Sequence, residues 1–234
     1  MKLVTVASQK GGTGKTTLCG HLAVAAERAG AGPVALVDTD PQGSLSDWSN
    51  ARALKTPHFA QADIATLAQD LDHLRERGIE LVIVDTPPAV SYAIMEVVQL
   101  SDLILIPVRP SPHDLAAAGA TADLVESLHK PLVFVVNSAS PRARITAEAA
   151  IALSQHGTVA STIVSYRSDF ASSMIDGRTV MELPRSKRST AEIEGLWSYI
   201  ESRLGIRDTA PAPIDIGRAD AFSGHGGWVA GERR

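Results

Sequence analysis

The stretch SQKGGTGKTT, from Ser8 to Thr17, organises this chain of 234 residues. An apolar run over residues 3–7 precedes it and predicts a buried strand, and residues 18–28 after it predict a helix. Glycines allow backbone N–H groups to close around phosphate oxygens, and a helix N-terminus adds unpaired N–H groups and a positive dipole end. A strand, a glycine-rich turn and Gly-Lys-Thr at a helix start therefore predict a loop that binds nucleotide phosphates.

Two side chains of this loop have predicted tasks, because Lys15 can reach the β- and γ-phosphates and the Thr16 hydroxyl can ligate Mg²⁺. The standard spacing would place glycine at position 9, where this chain has Gln9, and a second lysine stands at Lys10. The sequence from Lys10 to Thr16 instead resembles the deviant Walker A motif, KGGxGKT, of the ParA/MinD family. That resemblance implies that Lys10 reaches across a nucleotide-sandwich dimer to the partner's phosphates; taken alone, Lys10 would be a solvated surface lysine.

Composition limits the possible classes of protein. The length suits one large α/β domain, and a hydrophobic content of 44% with only 4% aromatic residues predicts a core of aliphatic side chains and alanine. A net charge of −4 gives no global positive field, so any contact with DNA must come from a local basic patch. The single cysteine, Cys19, is predicted to be a small buried residue. Without a signal-peptide pattern or a membrane-length apolar run, we expect a soluble cytoplasmic protein.

Two further apolar runs end in carboxylates. Residues 34–37 lead into Asp38 and Asp40, and residues 81–84 lead into Asp85. The carboxyl ends of parallel strands form the usual ligand edge of an open sheet, so Asp85 is predicted to hold Mg²⁺, through water. The string D-T-D-P-Q-G also resembles the ParA switch region, which implies that Asp40 positions the attacking water and that Asp38 lies near the metal. An Asx turn is the alternative for these aspartates.

Two more groups of side chains are candidates for contacts. Asn137 ends the predicted strand 132–136. The family resemblance implies that it contacts adenine, while a turn-forming asparagine is the alternative. A basic cluster before the last helix offers candidate DNA contacts, and its alternative is a solvated charge run. The cluster comprises Arg185, Lys187 and Arg188, with Arg142, Arg144 and Arg167 in reserve.

Local signals also place several helices. The spacing of apolar residues predicts a helix from Asp63 to Arg77, capped by Asp63 and ended by Gly78. Ser111 is a predicted N-cap for a helix that begins at Pro112, where Asp114 suits the helix dipole. Near the C-terminus, the spacing predicts a strand over 158–164, a helix over 166–176 and an extended segment over 180–184. Ser189 and Glu192 have the spacing of a capping box for the last helix.

Together these patterns predict a doubly wound P-loop α/β fold, with about seven mostly parallel strands in a twisted sheet and helices on both faces. The resemblance to the ParA/MinD family, in particular to its short ParF-like partition proteins, covers about residues 1–205. We expect an ATPase domain over 1–207 and a disordered tail over 208–234, because the tail is rich in Ala, Pro and Gly and lacks periodicity.

The family resemblance implies a Mg²⁺-dependent ATPase that forms a homodimer with ATP. As a ParA-like switch it would bind DNA without sequence preference, associate with the nucleoid and position a plasmid, chromosome region or protein cluster through a ParB-like or other adaptor. The cargo stays open. The alternative is a MinD-like switch on a membrane, against which the tail argues, because it is not amphipathic. The implied sites are catalytic residues Lys10, Lys15 and Asp40; nucleotide contacts Gly11, Gly12, Thr13, Gly14, Lys15, Thr16, Thr17 and Asn137; and metal-side residues Thr16, Asp38 and Asp85.

Overall fold

A computed structural model of the protein describes residues 1–89 and 92–206. Seven strands form one parallel sheet in the order β3-β2-β4-β1-β5-β6-β7. The strands are β1 (Lys2–Val6), β2 (Val34–Asp38), β3 (His58–Gln61), β4 (Leu81–Asp85), β5 (Leu103–Val108), β6 (Leu132–Val136) and β7 (Thr158–Val159). The helices are α1 (Lys15–Ala29), α2 (Ser44–Ala51), α3 (Leu67–Glu76), α4 (Tyr92–Leu100), α5 (Pro112–Ser127), α6 (Arg144–Ser154), α7 (Ser168–Met174) and α8 (Lys187–Leu204).

The sheet is covered by helices on both faces, as the apolar runs predict. Successive strand residues point to opposite faces, so Ile83 packs with α1, α2 and α8, while Val82 and Val84 pack with α3 and α4 on the other side. A further cluster on that second face joins β5 and β6 to α4, α5 and α6. Strands buried on both faces read as continuous apolar runs, which is why the sequence shows no alternation there. The predicted fold class is confirmed.

The strand register brings the functional loops together. Asp85 at the end of β4 lies opposite Val6 at the end of β1 and opposite Asp38 at the end of β2. The loop that follows β1 therefore begins beside Asp85, with Asp38 one strand further along the same edge. This edge is the carboxyl end of a parallel sheet, where open α/β folds bind their ligands.

Some predicted boundaries are wrong. The helix expected from Asp63 begins only at Leu67, because Asp63 instead closes a turn in which its Oδ1 accepts a hydrogen bond from the backbone of Ala65, at 2.9 Å. Its expected end is confirmed, since Gly78 adopts a φ of 82°. The strand predicted over 158–164 is regular only at Thr158–Val159, and the expected helix over 166–176 is shorter, as α7.

The capping box predicted at Ser189 and Glu192 is also wrong. Helix α8 begins earlier, at Lys187, and Ser189 donates to Asp169 at 2.6 Å. A reciprocal capping box does form between Thr179 and Glu182, around a 3₁₀ turn at Val180–Glu182 where an extended segment is predicted. The same four-residue spacing occurs twice in this region, and tertiary contacts decide which copy acts as a cap.

Several other expectations concern burial and the chain end. Cys19 is fully buried, and Trp48 packs in the core with its indole N–H donating to the carbonyl of Arg178 at 3.0 Å. Ser111 caps α5 as predicted, by accepting from the backbone N–H of Asp114.

Within residues 1–89 and 92–206, no helix has the length and apolar character needed to cross a lipid bilayer. The predicted tail, 208–234, lies outside the described residues.

A buried histidine joins α1 to the 3₁₀ turn. His21 lies with Nδ1 2.8 Å from the carbonyl of Thr17 and Nε2 3.2 Å from the backbone N–H of Val180. Because that N–H can only donate, Nε2 accepts, and the ring proton on Nδ1 donates to Thr17. Burial lowers the pKa of His21 to about 4, against the hydrogen bond to Thr17 and the carboxylates of Glu182 and Asp169, which favour the protonated ring.

The histidine predicts a pH dependence of stability. The unfolded ring has a pKa of about 6.5, so between pH 6.5 and pH 4 the unfolded chain binds more protons and acid destabilises the fold. We expect wild-type protein to lose roughly 3 kcal/mol of unfolding free energy relative to His21→Asn as the pH falls from 7 to 4. Urea unfolding of both proteins across this pH range measures the difference in their unfolding free energies. The contributions of titratable groups that both proteins share cancel in that difference. Parallel pH profiles would contradict the buried neutral ring.

Candidate functional site: a phosphate loop with nucleoside and metal sides

The phosphate loop depends on glycine at two positions. Residues 7–14 connect β1 to α1, and Gly12 and Gly14 adopt φ values of 73° and 92° in the left-handed region. A Cβ atom on Gly14 would also lie 2.4 Å from the side-chain nitrogen of Asn137. Gly14 is the N-cap of α1 and makes no side-chain cap, so the first turn of the helix presents its backbone N–H groups to a ligand.

Lys15 is a buried cation at this helix start. Its ammonium lies 3.5 Å from the carbonyl oxygen of Lys10, at the limit of a hydrogen bond. Burial lowers the pKa of Lys15, while the carboxylates of Asp85 and Asp40 act in the opposite direction. A buried ammonium with few hydrogen bonds is stabilised by an anion. Phosphate oxygens in the loop would supply that anion.

Thr16 and Asp85 form the metal side of the site. The Thr16 hydroxyl donates to Asp85 Oδ2 at 2.6 Å. The other oxygen, Oδ1, is buried and has no hydrogen-bond partner among residues 1–89 and 92–206. Burial raises the pKa of Asp85 to about 7, although the hydroxyl of Thr16 lowers it.

These two residues fit a magnesium ion that keeps most of its water. The free oxygen of Asp85 can accept from metal-bound water, and the Thr16 oxygen has a lone pair for the metal. Within the described parts of the chain, no group of three or more histidine, cysteine or acidic side chains is placed to hold an ion. Mg²⁺ bound by substrate phosphates and one or two protein oxygens does not need such a group.

The two switch aspartates have different surroundings. Asp38 is buried, and its Oδ2 accepts from the backbone and the hydroxyl of Ser46, both at 3.0 Å. Its Oδ1 accepts from the backbone of Asp40 at 3.0 Å. Asp38 thus holds the first turn of α2 in place, and its role near the metal stays a prediction. Asp40 is half-buried and accepts only locally, from the backbone of Gln42 at 2.9 Å.

Two cavities meet at the phosphate loop. One, of about 650 Å³, lies between the loop, α2 and α7 and brings Lys15, Thr16 and Asp40 together. The other, of about 260 Å³, adjoins the same loop and includes Asn137. The Asn137 amide donates to the carbonyl of Thr13 at 2.6 Å, so it holds the loop; its contact with adenine stays a prediction.

The sequence did not reveal two side chains that contact the loop. Asp114 was expected only to suit the helix dipole, yet its Oδ2 lies 2.6 Å from the ammonium of Lys10. Lys10 and the Ser111 hydroxyl lower the pKa of Asp114 against the effect of burial, which raises it. The guanidinium of Arg109 contacts the carbonyl of Gly12. Neither residue carries a local signal for this contact, because Arg109 follows the end of β5 and Asp114 lies in the first turn of α5, each about 100 positions from the loop in sequence.

The predicted basic residues separate into two groups. Arg185, Lys187 and Arg188 are exposed around the start of α8, and no ion pair involves them in the described chain. Among the reserves, Arg142 is exposed, Arg144 pairs with Glu148 at 2.7 Å, and Arg167 pairs with Glu192 at 2.6 Å. Basic side chains at a helix N-terminus repel the helix dipole, so a bound anion would be favourable there.

Sequence comparison agrees with this geometry. Residues 4–180 match the family described as the CobQ/CobB/MinD/ParA nucleotide binding domain. The chain belongs to this family. A relative from Halothiobacillus neapolitanus, named Maintenance of carboxysome distribution protein A, is 33% identical over 199 residues, which cover 81% of this chain and 91% of that protein. The Chromosome-partitioning ATPase Soj of Thermus thermophilus is 28% identical over 54% of this chain and 62% of its own length.

Solved structures share the fold. A Cyanothece McdA(D38A)-ATP complex superimposes with a TM-score of 0.68 at 17% identity, covering 90% of this chain and 98% of that one. MinD with Mg-ADP from Pyrococcus horikoshii superimposes with a TM-score of 0.70 at 17% identity, covering 88% of this chain and 98% of that one. The predicted ParA/MinD membership is confirmed, and with it the assignment of this domain as nucleotide-binding in a family that includes ATPases.

The burial of Asp85 predicts that replacing its carboxyl group stabilises the nucleotide-free protein. Because the folded pKa of Asp85 lies above its unfolded value of 3.8, this group destabilises the nucleotide-free fold increasingly as the pH rises from 3.8 through 7. We expect Asp85→Asn to be more stable than wild type at pH 8, by up to roughly 4 kcal/mol, and the gain to vanish near pH 4. Urea unfolding without nucleotide measures it. The control, Asp123→Asn, changes an exposed carboxyl on α5 and should show no such gain; an equal gain in both would contradict the burial argument.

Proposed function

We propose that this protein is a Mg²⁺-dependent ATPase that dimerises with ATP, binds DNA without sequence preference and positions a cargo through an adaptor protein. The observation that carries the proposal is the placement of its two loop lysines. Lys15 lines the larger cavity, whereas the ammonium of Lys10 contacts Asp114 and the Lys10 side chain is 39% exposed. This arrangement supports a role for Lys15 at the protein's own nucleotide and a role for Lys10 in a second subunit.

The residues around the larger cavity support hydrolysis by positioning and charge neutralisation, which is how proteins catalyse phosphoryl transfer. Lys15 and the first-turn N–H groups hold the phosphates. Thr16 and Asp85 would hold Mg²⁺, which neutralises charge on the phosphate oxygens when it is bound. Asp40, half-buried at the same cavity, positions the attacking water.

Dimerisation would complete the site. Lys10 must leave Asp114 to reach a partner's phosphates, and the buried carboxylate that it leaves keeps the hydroxyl of Ser111 as a donor. In the partner's site it would add the positive charge that an arginine finger supplies in other nucleotide hydrolases. ATP binding would thus favour the dimer, and hydrolysis would release it.

We expect Lys10→Ala to remain folded and to bind ATP, but to hydrolyse it at least about 10³-fold more slowly, in line with loss of a finger-type charge. The variant should also stay monomeric with ATP and Mg²⁺ in analytical ultracentrifugation. The control Lys55→Ala removes an exposed lysine outside both cavities and should dimerise as wild type does. Full activity of Lys10→Ala would show that no second subunit is needed.

The basic residues at the start of α8 support the DNA-binding part of the proposal. Three exposed cations lie together, and the first turn of α8 contains no acidic residue. Contacts between such side chains and DNA phosphates carry no sequence information and weaken as salt displaces them. Because the whole chain has a net charge of −4, attraction to DNA must come from a local basic patch such as this one.

We expect Lys187→Ala/Arg188→Ala to lose ATP-dependent binding to nonspecific duplex DNA by at least tenfold at low salt. The slope of log affinity against log salt should fall by about 2, one for each lost phosphate contact. Fluorescence anisotropy at several salt concentrations measures both. The control Arg75→Ala/Arg77→Ala removes the same charge from exposed positions on α3. If ATP drives dimerisation but the wild-type dimer binds no DNA at any salt, liposomes become the next ligand to test.

The cargo is proposed only as a class. One relative, which aligns with most of this chain, is named for carboxysome distribution, and another is named as a chromosome-partitioning ATPase. A MinD of Aquifex aeolicus, similar in fold, has been solved in complex with MinC. From these names we infer that this protein also distributes a cargo, and that it does so through an adaptor protein. Affinity capture with an ATP-locked dimer, compared with the Lys10→Ala monomer, would identify the adaptor.

A further inference from the structure

The smaller cavity is separate from the phosphate and metal groups. Its wall shares Gly12, Gly14, Thr17 and Ala171 with the larger cavity but contains neither Lys15 nor Thr16. Buried apolar side chains, among them Phe170 and Ile193, form part of its surface. A ligand that places phosphates in the larger cavity can therefore extend a flat, largely apolar ring into the smaller one, as a nucleoside does.

One wall of this cavity is an irregular segment, Val164 to Arg167. Two backbone hydrogen bonds attach it to the segment after β6: Ala139 donates to Val164 at 3.1 Å, and Tyr166 donates to Ala139 at 2.8 Å. The ring of Tyr166 is 79% exposed at the rim. A third backbone hydrogen bond, from Val164 to the carbonyl of Val136 at 2.9 Å, joins the segment to β6. No helix or regular strand includes the segment, so side chains add to these few backbone bonds in fixing its position.

The carboxylate of Glu192, on α8, holds this segment. Glu192 Oε2 accepts from the backbone N–H of Ser165 at 3.0 Å, and Oε1 accepts from its hydroxyl at 2.7 Å. Arg167 Nη1 lies 2.6 Å from Oε2, and the two side chains are only 28% and 17% exposed. Two hydrogen bonds from Ser165 and one ion pair with Arg167 thus meet on one partly buried carboxylate, which holds both the backbone and the guanidinium of the wall.

We propose that Glu192 is the positioning residue of the nucleoside wall: it sets the affinity for the base and ribose of the nucleotide by holding Ser165 and Arg167. The inference rests on the proposed nucleotide site. Glu192 touches neither cavity itself, because it is absent from both linings, so it acts through these two residues. It should therefore affect how tightly a nucleoside is bound and leave the phosphate chemistry unchanged.

The test compares two ligands by isothermal titration calorimetry, MgATP and inorganic tripolyphosphate with Mg²⁺. We expect Glu192→Ala to weaken ATP binding about tenfold and tripolyphosphate binding less than twofold. In steady-state assays the KM for ATP should rise by a similar factor with kcat unchanged. Glu192→Gln, which keeps an oxygen for Ser165 but loses the charge facing Arg167, should be intermediate. Glu194→Ala, an exposed carboxylate on the same helix, is the matched control and should bind both ligands as wild type does.

The outcomes separate the inference from the function on which it rests. Equal loss of both ligands in Glu192→Ala and Glu192→Gln would mean a general structural role and would overturn the inference. Unchanged affinity for ATP in both variants would overturn it as well. Wild-type protein that binds neither ligand would instead overturn the proposed nucleotide site, and the inference with it.

Discussion

The hydrogen bond from Thr16 to Asp85 ties the start of α1 to the end of β4, and most of the site depends on it. It fixes the first turn of the helix over the carboxyl edge of the sheet, where Lys15 is also buried. Burying charged groups without partners costs free energy. Binding an anion and a cation together at this edge is therefore favourable. The rest of the fold supplies the parallel strands that place these groups at one edge.

Both sides of the phosphate loop are supported by residues from distant parts of the chain. Asn137, at the end of β6, holds Thr13 and approaches Gly14 so closely that a side chain there would clash. Arg109 contacts Gly12 from the end of β5. The loop is thus shaped before any ligand arrives, which reduces the cost of ordering it on binding.

Helix α8 connects two parts of the proposed function. Its first turn carries the exposed cations Lys187 and Arg188, and Glu192, little more than one turn later, holds the wall of the smaller cavity. Its apolar face packs against α1, which begins at the phosphate loop. A change in the occupancy of the nucleotide site and a change at the basic surface would therefore act on the same rigid element.

The sequence by itself determined the class of fold and the identity of the loop, because strand runs, glycine spacing and the Gly-Lys-Thr helix start are local signals. It also placed Asp85 and Asp40 at the ligand edge, since parallel strands end together. It could not decide whether Glu192 caps its own helix or binds Ser165, nor that Asp114 would hold Lys10. Those pairings join residues 27 and 104 positions apart. Only the packed tertiary structure brings such groups within bonding distance, because local spacing carries no information about which distant side chain will be near.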